Sequence, residues 1–141
     1  MSHRLPMLSE RTASLETCGY CPKLCRAACP VSDAEPRDSL TPWGKMSLAW
    51  FALRKDIEAD RDVAATSWAC TGCMACRDRC DHKNDVRLTL NTARAHMTDA
   101  GLAPKGATRV VRGFSELEAR TRQANLELKK LPGVRADADI A

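Results

Sequence analysis

Two compact groups of four cysteines constrain this chain more than any other feature. The first is Cys18, Cys21, Cys25 and Cys29, with gaps of two, three and three residues; the second is Cys70, Cys73, Cys76 and Cys80, with gaps of two, two and three. All eight cysteines of the 141-residue chain lie between residues 18 and 80. A disulfide framework is usually spread through a smaller secreted domain that follows a signal peptide. Here the first ten residues, Met1 to Glu10, hold no apolar core region, and the best apolar stretch, Met46 to Leu53, is far short of the ~20 residues that cross a bilayer. The expected setting is the reducing cytoplasm, where clustered thiols read as metal ligands or redox groups.

The spacing narrows the metal. A cubane iron-sulfur cluster needs four thiolates converging on it; a loop with closely spaced cysteines wraps three, and a cysteine three residues further on points elsewhere. In two-cluster bacterial ferredoxins that last cysteine serves the other cluster. On this pattern Cys18, Cys21 and Cys25 share one [4Fe-4S] cluster with Cys80, while Cys70, Cys73 and Cys76 share a second with Cys29. The competing readings are two structural Zn2+ ions, which also accept four-cysteine sites, and disulfides or free redox thiols. Zinc sites usually pair two C-x2-C knuckles rather than set three cysteines in one loop, so spacing favours iron and sulfide.

That cofactor also changes the electrostatic reading. Twenty-two basic and eighteen acidic residues give a formal +4, but two such clusters, each contributing about −2 with its thiolates, bring the total to about zero. Nucleic acid is therefore not an expected partner. No Ser-His-Asp set and no Gly-rich phosphate loop is legible, so no catalytic residue is expected. Eight thiols suffice for two four-ligand sites without His82, and His3 and His96 stand alone. Asp56, Glu58, Asp60 and Asp62 read as solvated surface. Arg26, Arg77, Arg79, His82 and Lys83, beside the cysteines, read as charge compensation or solvated surface, and Tyr20, Leu24, Trp68 and Met74 as a screen against water.

Between and beyond the cysteines the pattern is helical. Residues 1–17 read as a short helix or arm, and Val31 to Leu40, rich in Asp, Glu, Ser and Pro, as loop. Thr41 as cap and Pro42 in first position start a helix. Met46, Trp50, Leu53 and Ile57 give it one apolar face, and it runs to about Ile57 or Asp60, lying between the cysteine blocks and packing over them. After an Ala-rich stretch ending at Trp68 and the second block, Val86, Leu90, Ala93 and Met97 mark another helix that ends near Gly101. Pro104, Lys105 and Gly106 break the chain, and Thr108 to Arg112 is the only candidate strand. A last helix is expected with Ser115 and Glu118 as a capping box, an apolar stripe through Phe114, Leu117, Thr121, Ala124, Leu128 and Leu131, and a stop at Pro132 and Gly133.

The two blocks, together with Cys29-Pro30-Val31, Thr41-Pro42-Trp43-Gly44-Lys45 and Trp68-Ala69-Cys70-Thr71-Gly72-Cys73, resemble the helical two-cluster ferredoxin domain of heterodisulfide-reductase-like and glycolate-oxidase-like iron-sulfur subunits. Related domains occur in the iron-sulfur subunits of anaerobic glycerol-3-phosphate dehydrogenase and succinate dehydrogenase. The resemblance implies an all-α domain over residues 10–102, with two cluster-binding loops and all eight cysteines as ligands, followed by a linker and amphipathic helix over 103–141. It also implies a non-catalytic oxidoreductase component that relays electrons between a partner, such as a flavoprotein subunit, and a quinone, thiol-disulfide site or soluble carrier. Any membrane association would then be peripheral, through a partner. An assembly or regulatory module whose cluster is structural or senses oxygen is the alternative.

This chain departs from the family pattern in two places. It has one residue more between Cys21 and Cys25, and Asp81 follows Cys80 where proline is common. Larger relatives continue into a cysteine-rich region about where this chain stops, at Asp137 to Ala141, so a small subunit and a fragment of a longer protein are both expected forms.

Overall fold

The computed structural model describes residues 7–133; His3 and the stretch Asp137 to Ala141 lie outside them. Every regular element among the described residues is helical, so the fold is all-α. The chain divides between Pro104 and Lys105 into two compact units.

In the first unit, a short 3-10 turn at Leu8–Arg11 leads into α1 (Thr12–Gly19), so the N-terminal arm is helical where it is described. The segment read as loop after Cys29 contains α2 (Pro30–Ala34) and a 3-10 turn at Asp38–Leu40. Proline at the first position of α2, with φ already suited to a helix, outweighs the turn-forming composition that follows. Next comes α3 (Pro42–Arg54), where the Thr41 hydroxyl accepts the Gly44 N–H at 3.0 Å as the Thr-Pro pair predicts. This helix ends earlier than its apolar spacing suggests. Lys55 turns left-handed at φ 64°, and its N–H bonds back to the carbonyls of Phe51 and Ala52, which leaves Ile57 beyond the last turn.

Two further helices start on aspartate caps that the apolar pattern did not reveal. The Asp60 carboxylate accepts from the Asp62 and Val63 amides at the head of α4 (Arg61–Trp68). Asp85 accepts from Leu88 at 2.9 Å at the head of α6 (Val86–Asp99). Caps of this kind contribute about 1 kcal/mol each. Between them lies α5 (Ala75–Asp78), a single turn inside the second cysteine block. The Val86, Leu90, Ala93 and Met97 face of α6 is buried as expected, and Gly101 follows its end at φ 73°.

The core forms where α1, α3 and α6 meet. Leu8, Leu15, Met46, Ala49, Trp50, Leu90 and Ala93 are buried there with Cys18. Because α3 passes through the middle, it is buried on most sides, including Lys45 and Ser47. Two glycines permit close approach: a Cβ on Gly19 would enter the Trp50 ring, and one on Gly44 would strike the Asp38 backbone carbonyl. Arg61 donates to the carbonyls of Ala103 and Gly101 at 3.1 and 3.3 Å, tying the start of α4 to the turn after α6.

The second unit is built on one long helix, α7 (Lys105–Leu128). It replaces both the candidate strand at Thr108 to Arg112 and the expected start at Ser115. The β-branched run Thr108, Val110, Val111 has no strand to pair with among the described residues. Val110 instead continues the three-four spacing of Phe114 and Leu117 along one helical face. The Ser115 and Glu118 spacing falls inside the helix, where Glu118 pairs with Arg122 at 2.8 Å. Within this unit Phe114, Leu117 and Leu128 are exposed, by 61%, 59% and 50%.

Candidate metal centre

The cysteines surround two cavities rather than closing on each other, and all eight are free thiols. Cys18, Cys21, Cys25, Cys76 and Cys80 line the first cavity. Cys29, Cys70, Cys73 and Cys76 line the second. Each cavity therefore draws on both blocks. Cys76 and Val86 stand in the wall common to the two. Only one division gives each cavity four thiols, and it sends Cys76 to the second.

Local backbone conformation explains how the loops wrap. In the second block Gly72 and Met74 take positive φ, 75° and 63°, which curls the chain around Cys73 just before α5. In the first block, Lys23 takes φ 66°. A non-glycine residue in this region costs about 1 kcal/mol or more, and Lys23 is held by other contacts. Its ammonium lies 4.0 Å from the centre of the Trp43 ring and 3.9 Å from the Asp38 carboxylate. The additional residue between Cys21 and Cys25 is thus accommodated in a braced left-handed turn. Asp81 is exposed and lines the rim of the first cavity.

Hydrogen bonding to sulfur differs between the cavities. In the first, the Asn84 side-chain amide donates to Cys18 Sγ at 3.1 Å and to the Ser14 carbonyl at 2.7 Å, tying the segment after the second block to α1. Burial pushes the Cys18 thiol up to about 12, although the Asn84 bond opposes the shift, and burial likewise raises Cys25. Trp43 also lines this cavity, and its buried Nε1–H has no hydrogen-bond partner among the described residues. In the second cavity burial pushes the Cys76 thiol up to about 11. Cys29 goes the other way. Burial alone would raise its thiol, but the Ser32 amide, the Lys45 charge and the Val31 amide together hold it below the ordinary value.

Lys45 Nζ sits 3.7 Å from Cys29 Sγ and 3.2 Å from the Ala69 carbonyl, just before Cys70. Nearby, Arg94 on α6 bonds the carbonyls of Ser67 and Cys70, the first at 2.9 Å and the second at 2.5 Å, fixing the entry to the second block. None of Trp43, Lys45, Asn84 and Arg94 stands out by its own spacing. Lys45 is one turn past a proline start on a helix that reads as ordinary, and Asn84 is a lone amide two residues before an apolar face. Of the residues expected to screen the thiols, Leu24 and Met74 line the cavities, whereas Tyr20 is 78% exposed and lies edge-on to Trp50 at 5.4 Å. Arg26, Arg77, Arg79, His82 and Lys83, which flank the cysteines in sequence, are exposed, with Arg26 paired to Asp38 at 3.2 Å and Arg77 to Asp85 at 4.0 Å.

The donor set tests which group the cavities fit. Four Zn–S bonds of ~2.3 Å in a tetrahedron would draw thiols to within about 3.8 Å of each other. Among the described residues, no group of three or more His, Cys, Asp or Glu side chains is placed to hold a single ion. Rings of four thiols around a space, an unpaired indole donor and a buried ammonium suit a larger, anionic, sulfur-rich group.

Comparison with known sequences bears on the same residues. Neither a curated protein nor a solved structure matches the chain. The profile of the 4Fe-4S dicluster domain, however, matches residues 14–84, just over half of the 141 residues and all eight cysteines. The chain belongs to the 4Fe-4S dicluster domain family, and its first unit is an iron-sulfur domain of ferredoxin type.

Proposed function

We propose that this protein holds two [4Fe-4S] clusters and serves as a non-catalytic electron-transfer subunit or module. Cys18, Cys21, Cys25 and Cys80 hold one cluster; Cys29, Cys70, Cys73 and Cys76 hold the other. The observation that carries this reading is the mixed origin of each thiol set, with Cys80 in the wall of the first-block cavity and Cys29 in that of the second. When bound, each cluster supplies reversible one-electron transfer.

The chain's own residues do the rest. Leu24, Trp43 and Val86 restrict water in the first cavity, Asn84 and Lys45 direct hydrogens at sulfur, and the exposed Cys73 brings the second site to the surface. The partners in this reading are a redox protein, such as a flavoprotein subunit of the heterodisulfide-reductase-like or glycolate-oxidase-like kind, and a downstream acceptor. The exposed apolar stripe of α7 is the docking element for one of them. No described helix is long and apolar enough to cross a membrane, and we place the protein in the cytoplasm.

Anaerobically isolated protein should contain about eight iron and eight sulfide per chain, and its visible absorbance should bleach on reduction and return on oxidation. Stoichiometric zinc without sulfide would refute the cofactor. Full iron and sulfide that cannot be cycled reversibly would favour a structural or sensing module instead.

A further inference from the structure

We infer that Lys45 separates the two sites electrically, so that the first electron to enter is held on the Cys29, Cys70, Cys73 and Cys76 side. This rests on the two-cluster reading above. Lys45 is 1% exposed, and its Nζ is fixed between Cys29 Sγ and the Ala69 carbonyl. Among the described residues no carboxylate pairs with it within 4.0 Å. The charge therefore acts on the sulfur cavity without counter-ion or solvent screening.

The charged side chains that line the cavities point the same way, while Lys23, against the Trp43 ring, is paired with Asp38. Arg87 also lines the second cavity, where its guanidinium reaches Met74 Sδ at 3.8 Å from an exposed position. The first cavity has the Asp81 carboxylate and His82 at its rim, and a neutral amide from Asn84 as the donor to sulfur. Adding an electron increases negative charge, so a buried cation raises the potential of the site beside it, and an anion lowers it. Solvent at the exposed Cys73 works in the same direction as Lys45. Since Cys73 is also the thiol most open to a partner, the electron-holding site is the one at the surface.

An anaerobic redox titration of the full chain, followed by paramagnetic resonance, tests this. Cys73→Ser identifies the signal of the second site by perturbing it. In the wild type that signal should be the first to appear as the potential falls. Lys45→Met should move it alone to lower potential, by at least about tenfold in the reduced-to-oxidised ratio, which is ~59 mV for a one-electron couple. Arg87→Gln should move it less, because its charge is screened. The inference is overturned if the first signal belongs to the Cys18 side, or if Lys45→Met retains iron and sulfide and leaves the potentials unchanged or shifts both equally. If Lys45→Met does not retain its iron, the order of reduction in the wild type decides alone. Absence of iron and sulfide from the wild type would instead bring down the two-cluster reading itself.

Discussion

Both cavities are lined by thiols of both cysteine blocks, with Cys76 common to the two, yet they meet sulfur differently. Around Cys18 the wall is formed by Leu24, Trp43 and Val86, the donor to sulfur is the neutral amide of Asn84, and the Asp81 carboxylate stands at the exposed rim. Around Cys29 a helix start and a buried ammonium face the thiol. Cysteine spacing is nearly alike in the two blocks, and the contrast comes from residues outside them, Asn84 ahead of α6 and Lys45 on α3. One element, α3, serves both sites, with Trp43 in one cavity wall and Pro42 and Lys45 in the other.

That shared dependence is easiest to break at Gly44. Its missing Cβ lets α3 approach the Asp38 backbone, which cannot move aside as a flexible side chain would. Gly44→Ala should therefore cost on the order of 1–3 kcal/mol or more and damage both sites together. Thermal unfolding of the anaerobic protein, read with its iron content, checks this; loss confined to one site would show that α3 does not couple them.

Asn84→Leu should sharpen the contrast by acting on one side. It removes the donor to Cys18 Sγ and Ser14 O and should destabilise by about 1–3 kcal/mol. Faster cluster loss at the Cys18 side alone, followed by paramagnetic resonance during exposure to oxygen, is the expected outcome. Equal loss from both sites would contradict the separation of the cavities.

The smallest effect is expected in α7. Leu117→Asp and Leu128→Asp fall on side chains that are half-exposed or more, so stability and absorbance should change by no more than about 0.5 kcal/mol and a few per cent. Binding to the redox partner should weaken. A drop in melting temperature of many degrees would instead show that the stripe is covered within the folded protein.

Legibility in the sequence followed the range of the physical signal. The cofactor class was carried by the cysteine gaps, and the start of α3 by Thr41-Pro42, because both are local patterns. The buried face of α6 was carried by the steps between Val86, Leu90, Ala93 and Met97. The roles of Lys45 and Asn84 were not legible, since each depends on a contact with a cysteine far away in the chain. Thr108 to Arg112 misled because β-branched composition says nothing about whether a strand partner exists. Ser115 misled because the three-residue spacing of a capping box also occurs inside a helix, where Ser115 and Glu118 fall.

The most direct test of the account is the reciprocal pair Cys80→Ser and Cys29→Ser, compared by paramagnetic resonance in otherwise intact, anaerobically prepared protein. Cys80→Ser should alter or remove the signal of the Cys18, Cys21 and Cys25 site, and Cys29→Ser that of the Cys70, Cys73 and Cys76 site. Serine at each position disturbing only the site of its own block would contradict it.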